Sequence, residues 1–448
     1  MKSLLSSVSI VAIAATAWAA TPSVGNVALN QDAATGEIVV SYDLAKADAI
    51  ITLDLIADGT ALLTGDERER LTGDVAKLVS TGNGREIRWK PLRFSGPVSS
   101  VSARVVAWEA ANPPDYLVID MTMKEHRWYY ERESDLPYGG VTNILYKTDR
   151  LVMRKIPAKD VVWRMGQPYP DGEPCDDEKD MKVSSSVLDD ETGHMVKLTE
   201  DYYIGIYEMT RRQYQRVVNA DAVHADTKVY PTDGEMVDNW TAPAHNVTYE
   251  TLRGEQTASF KSWPESGHTV GSSSKIKTFR DFAGLDGIDL PTEAQWEFAC
   301  RAGTGTSLNS GKPLKTTKNW ADANAAEVAW YGNTYGNAGG ACCHPVGLRQ
   351  ANAFGLYDMH GNVLELCLDR FASGDAYRAT FAAGWQEGAV TADPTGPSDA
   401  SLTESVGRGG GFFYASTVAR SASRVKHIGR SSSNKHYGFR LVCTLPVK

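Results

Sequence analysis

Residues 352–365 read Asn-Ala-Phe-Gly-Leu-Tyr-Asp-Met-His-Gly-Asn-Val-Leu-Glu. Gly361-Asn362 is a turn pair, because glycine adopts positive φ without steric cost and asparagine tolerates it. Two carboxylates, Asp358 and Glu365, flank that turn. A hard cation such as Ca²⁺ gathers six to eight oxygens from carboxylates and backbone carbonyls, and a tight turn can aim carbonyls at one point. A turn tied by Asp and Asn hydrogen bonds alone uses the same residues without metal. On the residues by themselves both readings stand.

Upstream of this stretch, two segments carry helix start signals. Thr210-Arg211-Arg212-Gln213 is a capping box, with Tyr214, Val217 and Val218 as the apolar face behind it. Pro291-Thr292-Glu293-Ala294-Gln295 repeats the device, and Trp296, Ala299 and Cys300 line one face of the helix it starts. Cys300 therefore reads as a small buried hydrophobe rather than a nucleophile.

Taken in order, a set of segments resembles the formylglycine-generating enzyme family, also called sulfatase-modifying factor domains. They are 203–210 (Tyr-Ile-Gly-Ile-Tyr-Glu-Met-Thr), 243–249 (Pro-Ala-His-Asn-Val-Thr-Tyr) and 290–298 (Leu-Pro-Thr-Glu-Ala-Gln-Trp-Glu-Phe). Ala329-Trp330-Tyr331, His344-Pro345-Val346-Gly347 and the 352–363 stretch follow, then Arg408-Gly409-Gly410-Gly411 and Gly438-Phe439-Arg440-Leu441. The resemblance implies an irregular α+β fold, similar to C-type lectin domains, with little regular secondary structure. It also implies structural calcium, with Asp358 and Glu365 giving side-chain oxygens and Gly361 and Val363 giving carbonyls.

The catalytic half of the family pattern departs here. Family enzymes oxidise a substrate cysteine with oxygen and a copper ion held by two thiolates, and soft thiolates suit Cu(I). By the resemblance those cysteines fall at Tyr414 and Ala419, the motif serine at Gly411, and two tryptophans at Leu364 and Leu366. A phenol with a pKa near 10 offers a hard oxygen, which is no substitute for a thiolate. Formylglycine generation is therefore not expected. What remains is a calcium-stabilised binding module, a pseudoenzyme, for peptide or glycan, with Arg420 and Arg424 positioned for carboxylate or sulfate groups. Arg408 and Arg440 read as structural ion-pair or carbonyl-bonding arginines. The alternative is a divergent oxidoreductase in which Cys342 or Cys343 binds the metal.

The rest of the chain frames this region. Residues 22–121 carry β-branched, partly alternating segments at 37–42, 50–55, 86–89, 101–106 and 116–119, punctuated by turns such as 81–84. They suggest an antiparallel β-sandwich of immunoglobulin or fibronectin type over 20–121, with a helical interlude near 67–79. Asn112-Pro113-Pro114 breaks the chain near the last of these strands. A linker at 122–144 leads to the family-like domain at 145–448.

Lys2, an apolar run from Leu4 to Ala17, and Ala17-Trp18-Ala19 form a signal-peptide pattern over 1–19, with an uncleaved anchor as the other reading. Secretion or a periplasmic location follows. No cysteine adjoins the cleavage pattern, and no other stretch is apolar for the ~18 residues a membrane span needs. The 448 residues are 42% hydrophobic and 23% charged with net charge −9, which excludes wholesale disorder and argues against a nucleic-acid surface. Six cysteines (175, 300, 342, 343, 367 and 443) form no C-x-x-C pattern. His344, His360, His427 and His436 are dispersed and read as hydrogen-bonding loop residues. Trp240, Trp263, Trp320, Trp330 and Trp385 read as core filler.

Overall fold

The computed structural model describes residues 20–93, 100–166, 190–220, 240–254, 269–315, 322–332, 343–381, 389–399, 401–427, 431 and 433–446. The chain is mixed α and β, with many strands and few, short helices. The 1–19 segment, Cys175, Cys342, Trp263, Trp320 and Trp385 lie outside the described residues.

The N-terminal strands form two antiparallel sheets. One holds Ser23–Gln31, Ile38–Ala45, Gly82–Trp89 and Leu71–Gly73 in that spatial order. The other is built on Ala49–Ala57, which pairs along its length with Val101–Glu109. Successive strand side chains point to opposite faces, so Ile38, Val40, Tyr42 and Leu44 turn inward from one strand. Ile51, Leu53 and Leu55 do so from another, and all join one core with Ile87 and Trp89.

The helical interlude expected near 67–79 is absent. A 3-10 turn, Gly65–Arg70, gives way to short strands at Leu71–Gly73 and Leu78–Val79. Gly73 sits at φ +92°, and any Cβ there would lie 2.4 Å from the Glu86 carbonyl oxygen. The segment also has acidic residues in its first turn and arginines in its last, without a buried apolar face to fix a helix.

The segment 116–119 belongs elsewhere than expected. Tyr116–Asp120 pairs with Arg127–Tyr130 and with Arg150–Ile156, inside a six-stranded sheet completed by Tyr202–Gly205, Val442–Thr444 and Ile288–Asp289. Its five residues are buried on both faces. Tyr116 and Val118 enter one core, while Leu117 and Ile119 enter a second. The supposed linker 122–144 thus supplies a strand of the main sheet, and Tyr116–Asp120 belongs with that sheet rather than with the N-terminal ones. A continuous apolar strand says that it is buried but not which sheet buries it.

Both capping boxes form. Gln213 N–H donates to Thr210 Oγ1 at 3.2 Å and Thr210 N–H to Gln213 Oε1 at 3.1 Å, opening helix Arg211–Val218. The same reciprocal pair, Thr292 and Gln295, opens helix Glu293–Arg301. That second helix is buried along most of its length, with Trp296, Ala299 and Cys300 in the first core of the large sheet. It also carries Glu293 and Glu297 inward, where they meet arginines from distant segments.

Candidate functional site

The 358–365 turn is the hub of the large domain. Asp358, Gly361 and Asn362 have φ of +55°, +79° and +55°. Asn362 bonds in four directions. Its N–H donates to the Trp330 carbonyl (2.8 Å), and its Nδ2 donates to Glu208 Oε2 (2.6 Å) and the His344 carbonyl (3.2 Å). Its Oδ1 accepts from His344 N–H (2.9 Å), and its carbonyl accepts from Phe412 N–H (2.8 Å). Val363 N–H donates to the other Glu208 oxygen at 3.0 Å. Glu208 is fully buried and is the anchor that sequence reading missed, although it lies in the quoted 203–210 stretch.

The two carboxylates proposed for calcium differ in their partners. Glu365 accepts a fork from Arg440, with Nη2 at 2.8 Å, and a bond from Trp296 Nε1 at 2.8 Å. Arg440 Nε reaches both of its oxygens at 3.1–3.2 Å, so its lone-pair directions are occupied. Asp358 uses Oδ2 to accept from Gly347 N–H at 2.6 Å, while its buried Oδ1 has no hydrogen-bond partner. Burial pushes the Asp358 carboxyl up to about 6, opposed by the Gly347 amide and by Arg440 and Lys147. Burial also holds Glu208 well above the usual carboxylate range, with Asp358 and Glu365 adding to the effect. Asp358 Oδ1 fits a cation and Glu365, saturated by Arg440 and Trp296, does not. Among the described residues no three His, Cys, Asp or Glu side chains are grouped to hold a metal ion.

The positions matched to the family's copper and serine lie across this turn. Gly409 and Gly410 have φ of +85° and +70°, where a Cβ would press on Trp296 and on the 418–419 backbone. Gly411 accepts through its carbonyl from Tyr414 N–H at 2.9 Å, and the Tyr414 carbonyl accepts from Gly332 N–H at 2.8 Å. The Tyr414 ring stands edge-on to His436, and burial raises its phenol. Ala419 is fully buried, and its carbonyl accepts from His360 Nδ1 at 2.5 Å. His360 Nε2 accepts from Asn309 N–H at 2.9 Å, so the ring is a neutral structural bridge whose pKa burial lowers to about 4. Leu364 and Leu366 are buried too, and Leu364 fills the space a side chain at Gly407 would take.

Arg420 and Arg424 are not available to a ligand. Arg420 donates a bidentate pair to Glu191, both bonds 2.7 Å, and Arg424 forks onto Glu293 at 2.6 and 3.1 Å. Both guanidiniums are buried beneath the surface, which overturns their assignment as ligand contacts. Arg408, on Glu293 and Glu297, and Arg440, on Glu365, are structural as expected. Cys300 is buried with its thiol pushed up to about 12 by burial, as a core residue should be. Cys343 packs with Ala242, Val363 and Phe412.

The histidines divide. His360 is hydrogen-bonded, but His344 has no partner on either ring nitrogen and stacks on Trp330, centroids 3.7 Å apart. His436 stacks on Phe413, which is 48% exposed. Trp330 is buried as expected, and Trp240 lies under the Arg211 and Arg212 guanidiniums.

Residues 161–445 match the model of the sulfatase-modifying factor enzyme 1-like domain, and the chain belongs to that family. It is 25% identical over 214 residues to chaperone protein LppX of Paenibacillus barcinonensis, covering 44% of this chain and 74% of that one. It is 30% identical over 162 residues to a formylglycine-generating enzyme of Thermomonospora curvata, covering 36% of this chain and 50% of the enzyme. A formylglycine-generating enzyme of Mycobacterium tuberculosis matches at 35% over 99 residues, 20% of this chain and 30% of the enzyme. The chain thus spans half or less of these two enzymes. Similar solved structures include Treponema denticola variable protein 1 (23% identity, TM-score 0.43, 66% of this chain, 95% of that one). PvdO from Pseudomonas aeruginosa is comparable, at 21% identity, TM-score 0.44, 66% of this chain and 95% of that one.

Proposed function

We propose that the chain is an exported, non-catalytic member of the family that binds a polypeptide partner. The observation that carries this reading is the pair Tyr414 and Ala419. One presents a half-buried phenol and the other a methyl group on a backbone locked to His360, where the family's chemistry calls for two soft sulfur ligands. Of the two ligand types the sequence allowed, peptide and glycan, the chaperone among the relatives favours the peptide. The reading includes a cleaved 1–19 signal and the C-type-lectin-like character of the large domain. It also takes the N-terminal sheets as an immunoglobulin- or fibronectin-type β-sandwich that serves as a spacer.

The test loads the purified chain with Cu(I) and follows oxygen uptake with a cysteine peptide. Substoichiometric, weakly held copper and no turnover are expected. Stoichiometric tight copper with turnover would establish the oxidoreductase instead, with Cys342 or Cys343 as the ligands to examine first.

Calcium at the turn belongs to the same proposal. Asp358 Oδ1, buried and unpartnered, would hold the ion with the Gly361 and Val363 carbonyls, leaving Glu365 on Arg440. An ion at a hundredfold its dissociation constant adds about 2.7 kcal/mol, or roughly 4–5 °C in a domain spanning 161–445. EDTA should lower the melting temperature by that order, and Asp358→Asn should abolish the sensitivity. A melt indifferent to EDTA removes calcium from the reading.

A further inference from the structure

Four deeply buried arginines of the large domain share one arrangement, and Arg349 differs from them. Arg408, Arg420, Arg424 and Arg440 are each buried on a carboxylate. Arg349 is half-buried, its guanidinium lies 3.6 Å from the Trp330 ring centroid, and its buried Nε has no hydrogen-bond partner. None of the described carboxylates pairs with it. Asp358 acts on it through space, but no ion pair forms between them: Asp358 Oδ2 accepts from Gly347 N–H and its Oδ1 makes no hydrogen bond.

On the same indole lies His344, 3.7 Å between centroids and 12° from parallel. The histidine is 6% exposed and both its ring nitrogens lack partners; Trp330 is 7% exposed and its Nε1 also lacks one. Indole N–H and guanidinium N–H are donors only, and a neutral imidazole donates from one nitrogen. Three groups able to donate therefore meet at one indole, and Arg349 Nε, both His344 ring nitrogens and Trp330 Nε1 make no hydrogen bond.

The backbone shows that this is a built arrangement. The 358–365 turn holds both stacked residues by their main chains, Trp330 through Asn362 N–H and His344 through the Asn362 side-chain amide. Gly347 N–H on Asp358 then fixes the approach of the segment that carries Arg349. Polar groups buried without partners are costly and call for a missing acceptor.

We infer that Trp330, His344 and Arg349 form a binding site for an oxyanion (a carboxylate, sulfate or phosphate group) carried by a ligand of this chain. Arg349 supplies a planar fork suited to two oxygens at once, and stacking on Trp330 fixes the plane of that fork. His344, on the other face of the indole from Arg349, and the Trp330 indole N–H add neutral donors. The inference is independent of whether copper chemistry has been lost.

The experiment titrates the full chain with sodium sulfate, phosphate and acetate against chloride at matched ionic strength. It reads both the melting temperature and the ¹⁵N–¹H signals of the tryptophan indoles. Saturable binding by at least one oxyanion is expected, with an indole signal that moves in step. Arg349→Gln should weaken that binding at least about tenfold, as loss of a charge-assisted fork implies, and His344→Gln by about threefold. Arg349→Lys keeps the charge without the fork and should fall between wild type and Arg349→Gln. Acetate alone would mark an acidic peptide or uronate group, and sulfate or phosphate alone an esterified one. Sulfate and phosphate also stabilise proteins non-specifically by exclusion from the surface. A response equal in Arg349→Gln, equal in chloride, or absent up to concentrations on the order of 50 mM overturns the site.

Discussion

Arg440→Met should remove most of the stability of the large domain, and adding Glu365→Gln to it should restore a good part. Arg440 is fully buried and satisfies four acceptors at once: both Glu365 oxygens, the Gly205 carbonyl and the Tyr357 carbonyl. Removing one partner of a buried ion pair costs about 3–5 kcal/mol, because the other charge stays buried without compensation. Two carbonyls left without donors add about 1 kcal/mol each. Against a typical total of about 5–15 kcal/mol, the single variant is at the edge of folding. Glu365→Gln removes the stranded charge and keeps an acceptor for Trp296 Nε1. The double variant should therefore be more stable than Arg440→Met by about 2–3 kcal/mol in urea unfolding, a coupling of the size contacting residues show. Strict additivity of the two changes would show that the pair does not act as a unit. The stakes are positional as well, since Glu365 ends the strand-forming turn from which Asp358, Trp330 and His344 are held.

The local signals were readable in the sequence and the long-range ones were not. A capping box spans four residues, so Thr210 with Gln213 and Thr292 with Gln295 announce their helices without reference to anything distant. Strand alternation is equally local, and Ile38–Ala45 and Ala49–Ala57 form as their patterns require. The Gly361-Asn362 turn was legible for the same reason. Arg420 and Arg424 misled because their partners lie 229 and 131 positions away, at Glu191 and Glu293. An arginine near a family's substrate groove and an arginine locked under it have the same sequence. Glu208 was hidden likewise, meeting Asn362 across 154 positions. Tyr116–Asp120 shows the matching limit for strands: its composition fixed burial, while the choice of sheet depended on Arg150–Ile156 downstream. The Trp330–His344–Arg349 stack lies beyond sequence reading altogether, because what marks it is the lack of partners.

Gly361→Ala tests how rigidly that region is clamped, and it should be the most damaging glycine-to-alanine change among the described residues. Gly361 has φ +79°, and a Cβ there would fall 2.1 Å from the Trp330 carbonyl oxygen and 2.7 Å from the Trp330 carbonyl carbon and nitrogen. Every one of these is a backbone atom, so no side chain can rotate aside. Either the parallel bridge between Ala329–Trp330 and His360–Gly361 opens, or the turn moves off it. Both lose the Asn362 N–H bond to Trp330, and movement of the turn also strains the Gly361 N–H bond to Gly409 at 2.7 Å. A loss of more than about 4 kcal/mol is expected, beyond the range of ordinary substitutions, with little soluble folded protein at 37 °C. Gly303→Ala is the control. Its φ is +91°, but nothing lies within 4 Å of the added Cβ. It should cost only the left-handed backbone term, about 1–2 kcal/mol. The difference between the two variants isolates the collision with Trp330 from backbone strain. Equal losses would mean that the turn yields freely, and Trp330 would then have no fixed position from which to stack His344 and Arg349.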